Sequence, residues 1–227
     1  MFNQSFSKRT FTKLAVALSA SAVFLPSHAQ QGPIKIGLST AVQLQVGRDT
    51  QEAAKIAIDE INNKGGVMGR KLSFVVADET ENPEVGINAI KKLTADEKVD
   101  VIVGGYTSGV TLAQLPHIAS AKTIYLGVGA ASPAITAKVK QDYENYKYIF
   151  RSGPINAVHQ ARGLVDWISG HLIGELGLKR IAIIGENAKW VQDLVPVLRK
   201  GAVDVGADVK MVEFFDTSTS DFSPLLS

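Results

Sequence analysis

From Gln31 onward the chain repeats one pattern: a short apolar run, a loop, then a segment with helical spacing. The apolar runs predict strands at Ile34–Leu38, Leu72–Ala77, Val99–Val103, Ile124–Gly127, Tyr148–Arg151, Arg180–Ile184 and Asp208–Phe215. Most are continuous rather than alternating, as expected of parallel strands covered on both faces. Between them, Thr50–Asn63 places Ala54, Ala57, Ile58 and Ile61 on one stripe, and Gly65-Gly66 stops that helix. Glu84–Ala95, opened by Pro83, lines up Val85, Ile87, Ala89, Ile90 and Leu93; Thr111–Ala121, Asn156–Leu176 and Val191–Val205 follow the same logic. Lys138–Lys147 is polar and tyrosine-rich and reads as a loop. Strands alternating with helices predict βαβ units with right-handed crossovers, hence an α/β fold with parallel sheets. The final residues, Asp221 to Ser227, read as a helix just starting, with a polar cap and a proline in its first turn, which points to a piece of a longer chain.

The first thirty residues depart from this pattern. Lys8, Arg9 and Lys13 precede a twelve-residue uncharged run, Leu14–Leu25, then Pro26 and Ser27-His28-Ala29. That is the layout of an export signal, with cleavage expected after Ala29. Twelve helical residues span only about 18 Å, too short for a hydrocarbon core. No later segment approaches spanning length. Removing the leader also changes the charge. The formal net charge is +2, and residues 1–29 hold three basic and no acidic side chains, which leaves −1 for the remainder. Nothing in that balance suggests a nucleic-acid partner. The absence of cysteine excludes a disulfide framework, thiolate metal sites and a lipid on an N-terminal Cys. No cofactor or metal is implied.

Candidate chemistry concentrates where strands end, because ligands of open α/β sheets bind outside the carboxyl ends of the strands. After Val99–Val103 comes Gly104-Gly105-Tyr106-Thr107-Ser108-Gly109. Its glycines let the backbone approach a ligand, and the helix that follows offers free amides and a positive dipole end to a carboxylate. Ser108 reads either as a helix cap or as a ligand contact, and a cap can do both. After Ile124–Gly127 comes Val128-Gly129-Ala130-Ala131-Ser132-Pro133, whose small residues leave room. Gly127–Ser132 also mimics a dinucleotide fingerprint, but Ser132 stands where its third glycine belongs. With no G-x-S-x-G elbow, no phosphate-binding P-loop and no H-E-x-x-H, the expectation is a binding protein rather than an enzyme. Trp190, soon after the strand ending at Ile184, reads either as a stacking surface or as a core residue at a helix start. Asp78, Glu79 and Glu186 lie near strand ends and read as solvated or hinge-facing.

The run Asp59-Glu60-Ile61-Asn62-Asn63-Lys64-Gly65-Gly66-Val67-Met68-Gly69-Arg70-Lys71-Leu72, with Ile34–Ser39 and Gly47-Arg48-Asp49 before it, resembles the leucine/isoleucine/valine-binding family of ABC transporters. Val103–Ser108, Gly129–Pro133, Tyr148–Ser152 and Arg180–Ile184 extend the resemblance to the end of the chain. It implies a type I periplasmic-binding-protein fold: two Rossmann-like lobes with parallel sheets, joined by three crossings and closing on a ligand. Lobe I would be residues 30–152, and residues 153–227 would be the first part of an incomplete lobe II. It further implies a monomeric periplasmic carrier whose partners are a small-molecule ligand and a membrane permease. A sensory domain with the same fold is the alternative.

By the same resemblance the ligand loops hold Tyr106, Thr107, Ser108, Gly129, Ala130 and Ala131, with Ser108 on a carboxylate and Trp190 covering the ligand. Val46 stands where some relatives hold an aromatic residue, with Gln43 and Leu44 beside it. One position departs from the family pattern. Ala131 replaces a threonine and cannot accept a hydrogen bond from an α-ammonium group. Two ligand classes remain, aliphatic amino acids and other organic acids or amides, and Ala131 with Trp190 tips the balance to the second.

Overall fold

The computed structural model describes residues 32–226. The leader reading therefore lies outside the described residues. Seven strands alternate with helices: β1 (Ile34–Thr40), α1 (Gln45–Asn63), β2 (Leu72–Asp78), α2 (Pro83–Lys91), β3 (Val101–Gly104), α3 (Ser108–Ala121), β4 (Ile124–Gly127), α4 (Pro133–Gln141), α5 (Tyr143–Tyr146), β5 (Ile149–Arg151), α6 (Ala157–Trp167), β6 (Arg180–Glu186), α7 (Lys189–Asp204), β7 (Asp208–Phe215) and α8 (Ser223–Leu226). Wider π-helical turns prolong α2 over Lys92–Asp96 and α6 over Ile168–Glu175.

β1 to β5 form one parallel sheet in the order β2-β1-β3-β4-β5; β6 and β7 pair in parallel as a second sheet. The order reverses between β1 and β3, so the loops leaving these two strands diverge and open a crevice at their carboxyl ends. Register sets the level of that crevice: Ser39 pairs with Gly104, and Gly104 with Gly127.

The first core lies between this sheet and α2, α3 and α4. Ile90, Leu93, Ile102, Leu115, Ile118 and Tyr125 are fully buried in it. Tyr125 keeps its polar end satisfied by donating its hydroxyl to the Gly104 carbonyl at 3.0 Å, and burial pushes its ionisation well above the ordinary range. The second core joins α6 and α7 to β6 through Ala161, Ile168, Ile183, Val191, Leu194 and Leu198.

Two expectations about local structure do not hold. The polar stretch 138–147 is mostly helical. Ser132 caps α4 by accepting the Ala134 amide, Pro133 sits in its first turn, and Ile135, Val139 and Tyr146 pack on the core beneath. The apolar spacing was there, masked by three lysines and two tyrosines. The α1 stripe, in turn, is only partly used: of its four members Ile58 alone is buried, and Ile61 stays exposed. At the far end Asp221 caps α8 by accepting the Ser223 amide at 2.9 Å, in agreement with the sequence pattern.

Candidate functional site

A cleft of about 360 Å³ opens between the loops above the five-stranded sheet and the segment around α7. Tyr106, Thr107, Ser108, Gly129 and Ala131 line one wall, and Glu186, Lys189 and Trp190 line the other. Six of the eight expected site residues thus converge. Ala130 is not among the lining residues: it is buried in the core, its amide bonded to the Gly105 carbonyl at 2.9 Å. Val46 is also absent from the lining, as are Gln43 and Leu44. The physical reason is that α1 starts as early as Gln45, which puts Val46 on the helix rather than in the preceding loop.

The loop after β3 is held by backbone geometry that only glycine permits. Gly105 has φ of +82°, and a Cβ there would lie 2.0 Å from the Tyr125 hydroxyl. Gly129 supports the second loop, where a Cβ would fall 2.5 Å from the Gly105 carbonyl. The two loops are therefore packed against each other, backbone to backbone.

Thr107 takes the N-cap position of α3 in an extended conformation, with no side-chain bond to the helix. Ser108 is the first helical residue, not the cap. Its hydroxyl is buried and accepts the Ser132 amide at 3.0 Å. The first backbone bond of α3 runs from the Thr111 amide to the Thr107 carbonyl, so the amides before it have no intrahelical partner. Those amides, the Ser108 hydroxyl and the positive end of α3 meet at the cleft, which makes this wall receptive to an acid group.

Beneath the loop lies a buried polar cluster. Glu79 is fully buried, which corrects its reading as a solvated residue. Its Oε1 accepts the Tyr106 amide at 2.7 Å, and its Oε2 accepts the Ser39 hydroxyl at 2.7 Å and Gln114 Nε2 at 3.2 Å. Burial raises the Glu79 carboxyl above its ordinary value; the Tyr106, Ser39 and Gln114 hydrogen bonds pull it down, and nearby Asp78 pushes it up again.

Glu186 is half-buried. It ends β6, lines the cleft, and its Oε1 accepts the Trp190 indole N–H at 2.7 Å. That bond orients the indole. Tyr106 faces two acids: burial first, then the Glu81 and Glu186 carboxylates, raises its phenol above the ordinary value, so it is neutral at physiological pH. Glu81, Gln160, Lys189 and Thr217 also line the cleft and were not singled out from the sequence. The strand-end rule points to Glu186; nothing local marks Gln160 in the first turn of α6.

This arrangement is a binding cleft with an acid-receptive wall, an indole opposite and carboxylates beside it. A family model described as periplasmic binding protein matches residues 33–227. The chain belongs to the periplasmic binding protein family, and its relatives are of the branched-chain amino acid type. It is 25% identical over 213 residues to the Leu/Ile/Val-binding protein homolog 1 of Brucella abortus, covering 93% of this chain and 54% of that protein. Among solved structures, the substrate-binding protein LivJ of Streptococcus pneumoniae, in complex with isoleucine, superposes with a TM-score of 0.74 at 22% identity, over 86% of this chain and 53% of that one. A solute-binding protein from Rhodopseudomonas palustris BisB5, in complex with 3,4-dihydroxybenzoic acid, gives 0.72 at 21% identity, over 86% and 50%. The fold is thus that of type I periplasmic binding proteins. The chain spans about half the length of the curated relatives it matches. No described helix is long and apolar enough to cross a membrane.

Proposed function

We propose that this chain is the solute-capturing part of an ABC importer, exported to the periplasm by its leader and delivering a small organic acid to a membrane permease. In this reading residues 30–152 are lobe I, and residues 153–227 begin lobe II. The observation that carries it is the meeting of Ser108 and Trp190 on opposite walls of one cleft. The acid group of the ligand rests on the α3 amino terminus and the Ser108 hydroxyl. The indole, held by Glu186, covers its body.

The far end of the ligand meets the carboxylates of Glu81 and Glu186, which accept hydrogen bonds and favour a donor such as a phenolic hydroxyl or an ammonium group. Ala131 lines the cleft without an acceptor side chain. That weighs against an α-ammonium placed beside the carboxylate, and with the flat indole it favours a hydroxylated aromatic acid over an aliphatic amino acid. Catalysis plays no part. The ligand contacts both walls and so shifts the population of lobe arrangements toward the shut one.

Calorimetry of the mature protein against 4-hydroxybenzoate, 3,4-dihydroxybenzoate, benzoate, leucine and isoleucine tests the assignment. The hydroxylated acids should bind best, and benzoate about tenfold or more weaker for want of its donor. Tight binding of leucine with no aromatic acid bound would reverse the choice of ligand class. Ser108→Ala should cost about 1–3 kcal/mol of affinity, the worth of a donor to a charged acceptor in a closed site. Unchanged affinity would leave Ser108 with its bond to Ser132 alone.

A further inference from the structure

Ser132 makes more bonds than its place in the second loop requires. It is fully buried. Its amide donates to Ser108 Oγ at 3.0 Å, its carbonyl accepts Arg151 Nη2 at 2.6 Å, and its hydroxyl oxygen accepts the Ala134 amide at 3.2 Å. These three bonds fix Ser132 within the five-stranded part. One polar hydrogen is left, on the hydroxyl. It goes to Oδ2 of Asp193, in α7, at 2.5 Å.

Asp193 uses its other oxygen, Oδ1, to hold the Lys189 ammonium one turn earlier on the same helix. Lys189 and its neighbour Trp190 both line the cleft, whereas Asp193 does not. The Asp193 side chain is only 17% exposed. Water therefore competes poorly for it, and a charge-assisted hydrogen bond there is stronger than a surface ion pair.

We propose that Asp193 is a positioning residue. Through Ser132 it ties the helix that bears Trp190 to the loop that bears Ser108, so the cleft is held in its shut geometry before any ligand arrives. The ligand then does not have to supply all of the closing free energy itself. The Lys189 contact belongs to the same device, because it fixes the carboxylate that receives the Ser132 hydroxyl and keeps the one cleft-lining ammonium among the described residues engaged. The inference rests on reading the two parts as closing lobes.

The chain has no cysteine, so spin labels can be placed through Lys55→Cys and Lys200→Cys, two exposed positions on α1 and α7. Pulsed EPR on the ligand-free chain should give a narrow distance distribution. Ser132→Ala and Asp193→Ala should each move population to another, broader distance. The double variant should go no further than either single, because both break one contact. An unchanged distribution, or effects that add, overturns the proposal. So does a lowered melting temperature with distances intact, which marks the contact as structural only. Should Asp193→Ala fail to fold, Ser132→Ala carries the same reading alone. With 4-hydroxybenzoate and isoleucine as probes, the dissociation rate of whichever binds should rise about ten- to a hundredfold in both variants, with association little changed. If neither probe binds the parent protein, the functional reading above fails, while the ligand-free distances still decide the role of Asp193.

Discussion

The two parts of the molecule bury different things. Among the described residues, every buried polar side chain, Ser39, Thr40, Glu79, Ser108, Thr111, Gln114 and Ser132, belongs to the five-stranded part. The cluster of α6, β6 and α7 is apolar throughout, and a groove of about 750 Å³ runs along it, lined by Leu164, Ile183, Trp190, Leu194 and Phe215. One part is a closed core with a hydrogen-bonded network directly under the loops that follow β3 and β4. The other is an open-sided cluster that carries the Trp190 indole. The network explains the division of labour. Glu79 and the Tyr125 hydroxyl hold the backbone at Tyr106 and Gly104, so the acid-receptive wall is set in advance. The opposite wall is set by fewer bonds, chiefly Glu186 on Trp190 and Asp193 on Ser132.

The largest expected effect tests the difference in packing. Leu115 is fully enclosed, and Leu115→Ala should cost about 3–5 kcal/mol in urea melts followed by circular dichroism. Leu194 is 7% exposed but borders the groove, so Leu194→Ala opens into the groove instead of leaving a sealed cavity and should cost about 2 kcal/mol, the low end for such truncations. Equal costs would break the comparison.

A second expected effect tests the polar network, through pH. The Glu79 carboxyl is raised, so the folded state prefers its neutral form. Its contribution to stability is fully present below the ordinary carboxyl value of 4.5 and is lost as pH rises through the elevated one. Glu79→Gln is neutral at every pH, while its amide oxygen can still accept the Tyr106 N–H. Relative to this variant, the parent protein should lose stability progressively as pH is raised above 4.5. Chemical melts at half-unit pH steps check this. Parallel curves for the two proteins would mean that Glu79 is not held toward its neutral form.

How much of this was legible in the sequence follows the same division. All seven strands and the main helices could be read from apolar spacing, because each is set by residues within about ten positions of one another. The loops Gly104–Ser108 and Gly129–Ser132 stood out because glycines and small residues follow strand ends. Glu79 was misread because its burial depends on partners 40 and 35 positions away, Ser39 and Gln114. Asp193 gave no signal at all. It sits in the second turn of α7 between Gln192 and Leu194, and its partner Ser132 is 61 residues distant. Val46 was misplaced by an error of five residues at a helix start, Gln45 rather than Thr50. The strand pattern therefore locates the site, and long-range polar pairs decide which residues complete it.

The smallest expected effect concerns the bond that steadies the indole. Glu186 accepts the Trp190 N–H from a partly exposed position. Trp190→Phe removes the donor and leaves an aromatic face, so stability should change by about 1 kcal/mol or less, the net worth of one such hydrogen bond. Ligand recognition should respond more than stability, because a phenyl ring with no N–H is free to turn, and the freed Glu186 oxygen becomes available to the ligand. Ligands with a donor at the far end should then lose less affinity than benzoate does, and the ratio between hydroxylated and plain acids should widen. Calorimetry on that pair of ligands reads the ratio directly. A ratio that stays the same would mean that the Glu186–Trp190 bond only supports the second wall, and that selectivity at the far end rests with Glu81.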